Sequence, residues 1–366
     1  MIKVKDVIQA METIAPPALA LTGDPIGLHA GDPEMPVRKI AVALDASLTA
    51  VAAAKRYSAD MLVVHHPRFY KGLSTLAAGD PLGRRATAIV KSGLAVYSAH
   101  TNLDLAEGGT NDILADLAGL RNIGIAVREK SEQLIKLAVF VPVTHIDAVL
   151  RAVCDAGAGA IGRYSDCTFR VGGTGTFRCG ADTKPFIGKP GSYEEADEYR
   201  LETAVGEFGV DRVISAMMKA HPYEEVAYDL YPMLGRAKHF GLGRVGDLAK
   251  QESVAALAKR MALATGSKMT QFSGKPGRKV KRVAVWAGGG VDARALTATG
   301  AEVVVAGELG YHDLETFSDA GVAAITLGHG HSEEPVLQPL AKRLSDLLRG
   351  VAVKAFGNID VSFTNV

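Results

Sequence analysis

The chain reads as an α/β protein: a duplicated three-layer α/β core split by an inserted ferredoxin-like domain of order β-α-β-β-α-β. Three observations predict this. Short apolar runs alternate with helix-like stretches in the first part of the chain, the same alternation returns in the last part, and the segment between them follows a different order.

In the first part, Ile40–Leu44, Met61–Val64 and Leu94–Ala99 are short, continuous and rich in Val, Leu and Ala. That is the pattern of strands covered on both faces. Leu48–Tyr57 and Leu82–Lys91 lie between them with helix-like composition, which implies parallel strands joined by right-handed crossovers. Met1–Ala10 mixes Lys3, Lys5 and Asp6 with apolar residues, as an amphipathic helix does and a signal peptide does not.

The last part repeats the pattern. Arg282–Val285 matches Lys39–Val42, Glu302–Val305 matches Asp60–Val63, and Ala320–His329 matches Ser92–His100. In this alignment His329 falls on His100, Glu333 on Asp104, and Glu308 on or beside His66. Three such coincidences in register predict an internal duplication, with two similar halves facing one cleft.

Between the halves, strands are expected at Leu137–Val141, Cys167–Val171, Leu201–Val205 and Val226–Tyr231, with helices at His145–Ala156 and Asp211–Ala220. Gly172–Gly175 and Gly188–Gly191 read as turns or exposed loops, and Gly235–Gly246 as the return linker. The resulting division is 1–131 for the first half, 132–235 for the insert and 236–366 for the second half.

The bulk composition limits the function classes. The chain has 366 residues, 48% hydrophobic and 22% charged, enough for two or three domains with sizeable cores. A formal net charge of +1 with no block of like charge gives nucleic acid or an anionic membrane nothing to hold. Cys154, Cys167 and Cys179 form no C-x-x-C pair, which argues against a disulfide framework and a thiolate zinc site and fits a reducing cytoplasm. No apolar run is long enough to cross a bilayer.

The chemistry-bearing residues sit where the expected strands end. His65-His66 follows Val63-Val64 and precedes Pro67, which keeps His66 extended. Adjacent side chains on an extended backbone point to opposite sides. Each imidazole can then serve its own metal, or one can ligate while the other orients it. Asp104 lies in what reads as a loop after His100, with Thr110 or Asn111 as N-cap of the next helix. Gly108-Gly109 offers backbone N–H groups to an anion, but the P-loop lysine is missing. His329 and Glu333 stand four apart, with Ser332 read as an N-cap and Pro335 in the first helical turn. His312 starts a helix after the strand Glu302–Val305, and reads as a substrate-contacting or supporting group.

Together His65, His66, Asp104, His329 and Glu333 supply too many ligands for one open tetrahedral zinc. They suit two cations sharing a bridging carboxylate, ~3.5–4 Å apart as in two-metal hydrolases. This ligand mix is compatible with zinc, iron(II), manganese, cobalt and nickel.

These segments resemble the Nif-three-like dinuclear-metal proteins, the GTP cyclohydrolase 1 type 2 homologs. The resemblance rests on His65-His66-Pro67, on His100–Asp104 followed by Gly108–Asp112, and on Gly328-His329 with Glu333. It spans nearly the whole chain. It implies His65, His66, Asp104, His329 and Glu333 as ligands of two divalent cations, zinc or iron foremost, with Glu333 the bridge. It also implies a toroidal homohexamer whose sites face an inner cavity. His221–Asp229 is similar to the signature of the insert in longer members, itself similar to trimeric CutA and PII-type modules, so trimer contacts through the insert are implied. Gly307-Glu308 and Ala287–Gly290 depart from the family's usual Gly-Asp and Gly-Gly-Ser-Gly.

The expected function is a metal-dependent hydrolase of a nucleotide or phosphoester, GTP cyclohydrolase-like, with a metal-bridging hydroxide as nucleophile and His100 or His312 moving protons. The alternative is a non-catalytic metal-binding hexamer, or a regulatory one that senses a small molecule with its insert. There His221–Asp229 is either a working surface or a turn feeding an edge strand.

Overall fold

The computed structural model describes residues 1–67, 72–73, 75–77 and 79–357. Two compact units divide the chain: Met1–Lys130 with Phe240–Val366, and Ser131–His239.

The first unit contains two parallel arrays of three strands. Lys39–Ala43, Met61–Val64 and Ala95–Ser98 pair in parallel, with Val42 opposite Val63 and Val63 opposite Tyr97. Gly27–Ala30 adds antiparallel to Ala95–Ser98, and Ala352–Ala355, from the far end of the chain, adds parallel to Lys39–Ala43. In the second array Lys279–Trp286, Val303–Ala306 and Ala323–Thr326 pair in parallel, with Val285 opposite Val305 and Val305 opposite Ile325. It is flanked by antiparallel partners, Tyr228–Ser253 on one side and Gln271–Phe272 on the other.

The apolar runs explain the layers. All four residues of Met61–Val64 and of Val303–Ala306 are buried. Val283, Val303, Val305 and Ile325 pack with Leu114, Leu257 and Met261 on one face of the second array. Ala284, Val304 and Ala324 pack with Leu296 and Phe317 on the other. Fully burying one such side chain contributes ~1.5–3 kcal/mol. The crossover helices have sequence-encoded ends. Ser47 accepts the Ala50 N–H to cap Leu48–Tyr57. Asp80 caps Pro81–Ser92, and Gly93 ends it in the left-handed region.

In the second unit, the part of Leu120–Pro142 beyond Lys130 pairs antiparallel with Tyr193–Gly206, which pairs in turn with Thr168–Arg178. Helices Ile146–Asp155 and Val210–Ala220 bury Val149, Val153, Val213 and Met217 against Leu137, Val139, Val141, Leu201 and Val205.

Several sequence expectations are corrected. Gly172–Gly175 lies inside the strand Thr168–Arg178, held by the Tyr193–Gly206 ladder. The expected linker Gly235–Gly246 is continuous strand, part of Tyr228–Ser253. Its glycines serve close approach: a Cβ at Gly241 would stand 1.8 Å from the Val127 carbonyl oxygen. The strand expected at Leu137–Val141 begins at Leu120.

That close approach gives a stability test. Gly241→Ala must push the two backbones apart, at ~2–3 kcal/mol. Thermal unfolding should show a midpoint lower by several degrees. An unchanged midpoint would mean that the backbones are not packed this closely.

Candidate metal centre

The carboxyl ends of both parallel arrays converge within the first unit, as open α/β sheets arrange ligand sites. His65 and His66 follow Met61–Val64 and Asp45 follows Lys39–Ala43. His100 follows Ala95–Ser98 and precedes the short helix Thr101–Leu105, which carries Asp104. From the second array come Gly288 after Lys279–Trp286, Glu308 after Val303–Ala306, and the helix His329–Glu333 after Ala323–Thr326.

Their donor atoms meet. His65 Nε2 lies 3.5 Å from Asp104 Oδ1 and 3.7 Å from Glu333 Oε1. His66 Nε2 lies 3.1 Å from Glu333 Oε2, and His329 Nε2 3.2 Å from Glu333 Oε1. Ring centroids of His65 and His66 are 4.8 Å apart, and those of His66 and His329 5.3 Å. Two groups emerge, His65–His66–His100 and His66–His329–Glu333, each with donor atoms within 4.8 Å of one another.

Each imidazole is oriented through its other nitrogen. His65 Nδ1 bonds to the Ala99 carbonyl at 2.9 Å, and His100 Nδ1 to Asp24 Oδ1 at 2.9 Å. His66 Nδ1 lies 3.3 Å from Asp45, and His329 Nδ1 3.1 Å from Glu308. A carbonyl or carboxylate at Nδ1 assigns its proton there and leaves the Nε2 lone pair for a metal. Thr110 Oγ1 donates to Asp104 Oδ1 at 2.5 Å, leaving the second carboxylate oxygen free of that bond.

The electrostatics fit cations. Burial alone raises the Glu333 carboxyl, but the imidazoles of His329, His65 and His66 outweigh it and hold it well below the usual range. Burial lowers His66, yet Asp45 and Glu333 push it up to about 10. Glu333 raises His329 to about 9 against the effect of burial. Burial raises Asp104, assisted by the nearby Glu333 charge. His65 Nε2, His66 Nε2 and Glu333 Oε2 are buried and make no hydrogen bond. Their contacts are ion pairs rather than well-aligned hydrogen bonds, and a divalent cation would satisfy them together.

Glycine makes room for the carboxylate. Gly288 has φ +71°, and a Cβ there would stand 2.2 Å from Glu333 Oε1. Its N–H donates to Ser332 Oγ at 2.8 Å, and the neighbouring Ala287 N–H donates to Asn111 Oδ1 at 2.9 Å.

The structure therefore brings together His65, His66, Asp104, His329 and Glu333. His100 joins the group with His65 and His66. His312 does not join it: its side chain is 90% exposed and pairs with Glu315. Other expectations change for local reasons. Asp104 lies on a helix rather than in a loop. Gly109, not Thr110 or Asn111, is the N-cap of Thr110–Leu117, because Thr110 is drawn to Asp104 and Asn111 to Ala287. Ser332 lies within its helix and binds Gly288. Pro335 lies in the 3-10 turn Glu334–Val336 that follows. The Gly108 N–H is taken by Asp112 at 2.7 Å, which removes the anion reading. Sequence reasoning misses Asp24, Asp45 and Glu308 as orienting groups. Asp45 carried the same signal as the ligands, an acid directly after an expected strand, and Glu308 had aligned with His66. Asp24 carried none.

The Duf34/NIF3 (NGG1p interacting factor 3) family model matches residues 2–360. A Halalkalibacterium halodurans protein named GTP cyclohydrolase 1 type 2 homolog is 38% identical over 345 residues, 94% of this chain and 92% of its own. A Bacillus subtilis protein of the same name is 36% identical, covering 99% of this chain and 96% of its own. A solved Bacillus cereus protein related to NIF3 superposes with a TM-score of 0.84 at 34% identity, covering 99% of both chains.

Two results are expected of this centre. Gly288→Ala should displace Glu333 and cut divalent-cation affinity ~10-fold or more by calorimetric titration; wild-type affinity would show that Glu333 does not ligate. The pH dependence has a definite sign. His66 at about 10 and His329 at about 9 are raised above their ordinary 6.5, so chelator-treated protein is most stabilised by them below pH 6.5. That contribution is lost as pH rises through 9 to 10. Cation binding must expel the same protons, so its affinity should grow ~10-fold per pH unit for each proton released. Flat affinity between pH 6 and 9 would contradict the assignment of these imidazoles.

Proposed function

We infer the function from one premise, that the chain belongs to the Duf34/NIF3 family. We propose that it is a metal-dependent hydrolase of a nucleotide or phosphoester, with two divalent cations held by His65, His66, His100, Asp104, His329 and Glu333. The observation that carries this reading is the convergence of buried Nε2 and carboxylate atoms from the ends of three parallel strands, Met61–Val64, Ala95–Ser98 and Ala323–Thr326. The family resemblance puts zinc and iron(II) first, and the mixed imidazole and carboxylate donors are compatible with both.

When bound, such cations supply Lewis acidity toward a carbonyl, ring carbon or phosphate and acidify water. The chain's residues do the positioning. Asp24, Asp45, Glu308 and the Ala99 carbonyl fix the imidazole tautomers. Glu333 lies within 3.1–3.7 Å of the Nε2 atoms of His65, His66 and His329, so its carboxylate is within reach of cations held by either metal-ligand group. His329, with a side chain 39% exposed, marks the side open to substrate, while the fully buried His65 closes the other. The relatives' name supports a purine nucleotide as the first substrate to try.

The reading includes an assembly and an ancestry. The two parallel arrays, with matching order and register, support a duplication. The element order of Ser131–His239 supports a ferredoxin-like insert. We place the protein in the cytoplasm as a homohexamer with trimer contacts through that insert. No helix among the described residues is long and apolar enough to cross a membrane.

Turnover of GTP and of bis(p-nitrophenyl) phosphate by zinc- or iron-loaded protein tests the catalytic reading. His65→Ala and Glu333→Gln should each lower the rate ~100-fold or more. Equal rates in wild type and both variants would leave the centre without a catalytic role and favour the regulatory alternative.

A further inference from the structure

A cavity of about 390 Å³ lies within the Ser131–His239 unit and shares no residue with the metal centre. Its size suits a small organic ligand.

One acidic residue dominates its chemistry. Glu198, on the strand Tyr193–Gly206, lines the cavity and is 8% exposed. A carboxylate so buried needs hydrogen-bond donors. Tyr223 supplies one, its O–H donating to Glu198 Oε1 at 2.8 Å. The other oxygen, Oε2, occupies space that any side chain at Gly175 would fill: a Cβ there would lie 2.1 Å from it. The walls are aromatic. Phe140, Phe177, Phe186 and Tyr223 line the cavity, and the rings of Phe177 and Phe186 each lie 6.2 Å from that of Tyr223.

The segment His221–Glu225, which the sequence singled out, frames this cup. His221 donates from Nε2 to the Phe140 carbonyl at 3.0 Å and accepts the Tyr223 N–H at Nδ1 at 3.2 Å. The Glu224 carboxylate accepts the Lys184 N–H at 3.1 Å and so fastens the loop that carries Phe186. The charged lining is mostly negative, with Glu224 and Glu225 beside Glu198. Arg178, the opposing charge, bonds to the Gly191 carbonyl at 3.3 Å and stands over the Tyr193 ring at 5.7 Å.

We propose that this cavity binds a small planar nitrogen base, its N–H edge against Glu198 and its ring among Phe140, Phe177, Phe186 and Tyr223. An amidine, guanidine or 2-amino heterocycle presents two N–H groups in the fork that a carboxylate accepts. Aromatic walls add stacking and, for a cation, attraction to the ring faces. An anion of the same shape would have to be desolvated beside Glu198, with Arg178 already engaged by the Gly191 carbonyl and the Tyr193 ring.

Calorimetric titration of the full chain with benzamidine, guanosine and benzoate tests this. Benzamidine or guanosine should saturate one site per chain, and benzoate, equal in size to benzamidine but opposite in charge, should not bind. Glu198→Gln should weaken the bound base ~10-fold or more, while Gly175→Ala, which displaces the carboxylate, should do the same. The proposal is overturned if neither base saturates, if benzoate binds as well as benzamidine, or if Glu198→Gln leaves affinity unchanged. Charge selectivity is read on the unaltered protein, so the test stands even where a variant fails to fold.

Discussion

The buried carboxylate of Glu333 is the constraint around which the first unit is organised. A lone carboxylate in a protein interior is costly, and this one is 3% exposed. Three imidazoles from two different strand ends compensate it, and each of those is anchored by a further acceptor. Gly288 must lack a side chain for the carboxylate to lie where it does. The geometry of both parallel arrays is thus coupled to one charge. A group of mutually dependent, partly unbonded polar atoms is a poor way to stabilise a protein and a good way to hold cations.

Much of the fold could be read from the residues because burial on both faces leaves a simple trace. Leu48–Tyr57 and Met61–Val64 match the expected bounds, since continuous apolar strands and capped helices leave little ambiguity. The long strands Leu120–Pro142 and Tyr228–Ser253 could not be read in full. The glycines at 241, 243 and 246 look like linker, yet they lie within the strand Tyr228–Ser253, whose Arg244–Asp247 stretch pairs with Arg282–Val285. Gly172–Gly175 misleads in the same way.

The ligand candidates were legible because strand ends in parallel sheets are where such groups collect, and the histidines and acids stood out there. Their supports were harder. Asp24 acts from a loop far from His100 in sequence, and nothing local marks it. Thr110 and Asn111 looked like helix caps because both types cap helices, but tertiary partners claim their side chains. His312 shows the converse: a position that looks promising in sequence faces outward beside Glu315.

Anomalous diffraction from a crystal soaked in zinc tests the central claim most directly. The account predicts two peaks in each chain, both within reach of the Glu333 carboxylate and among the side chains of His65, His66, His100, Asp104 and His329. Peaks that avoid these side chains, or a fully soaked crystal with none beside Glu333, would contradict it.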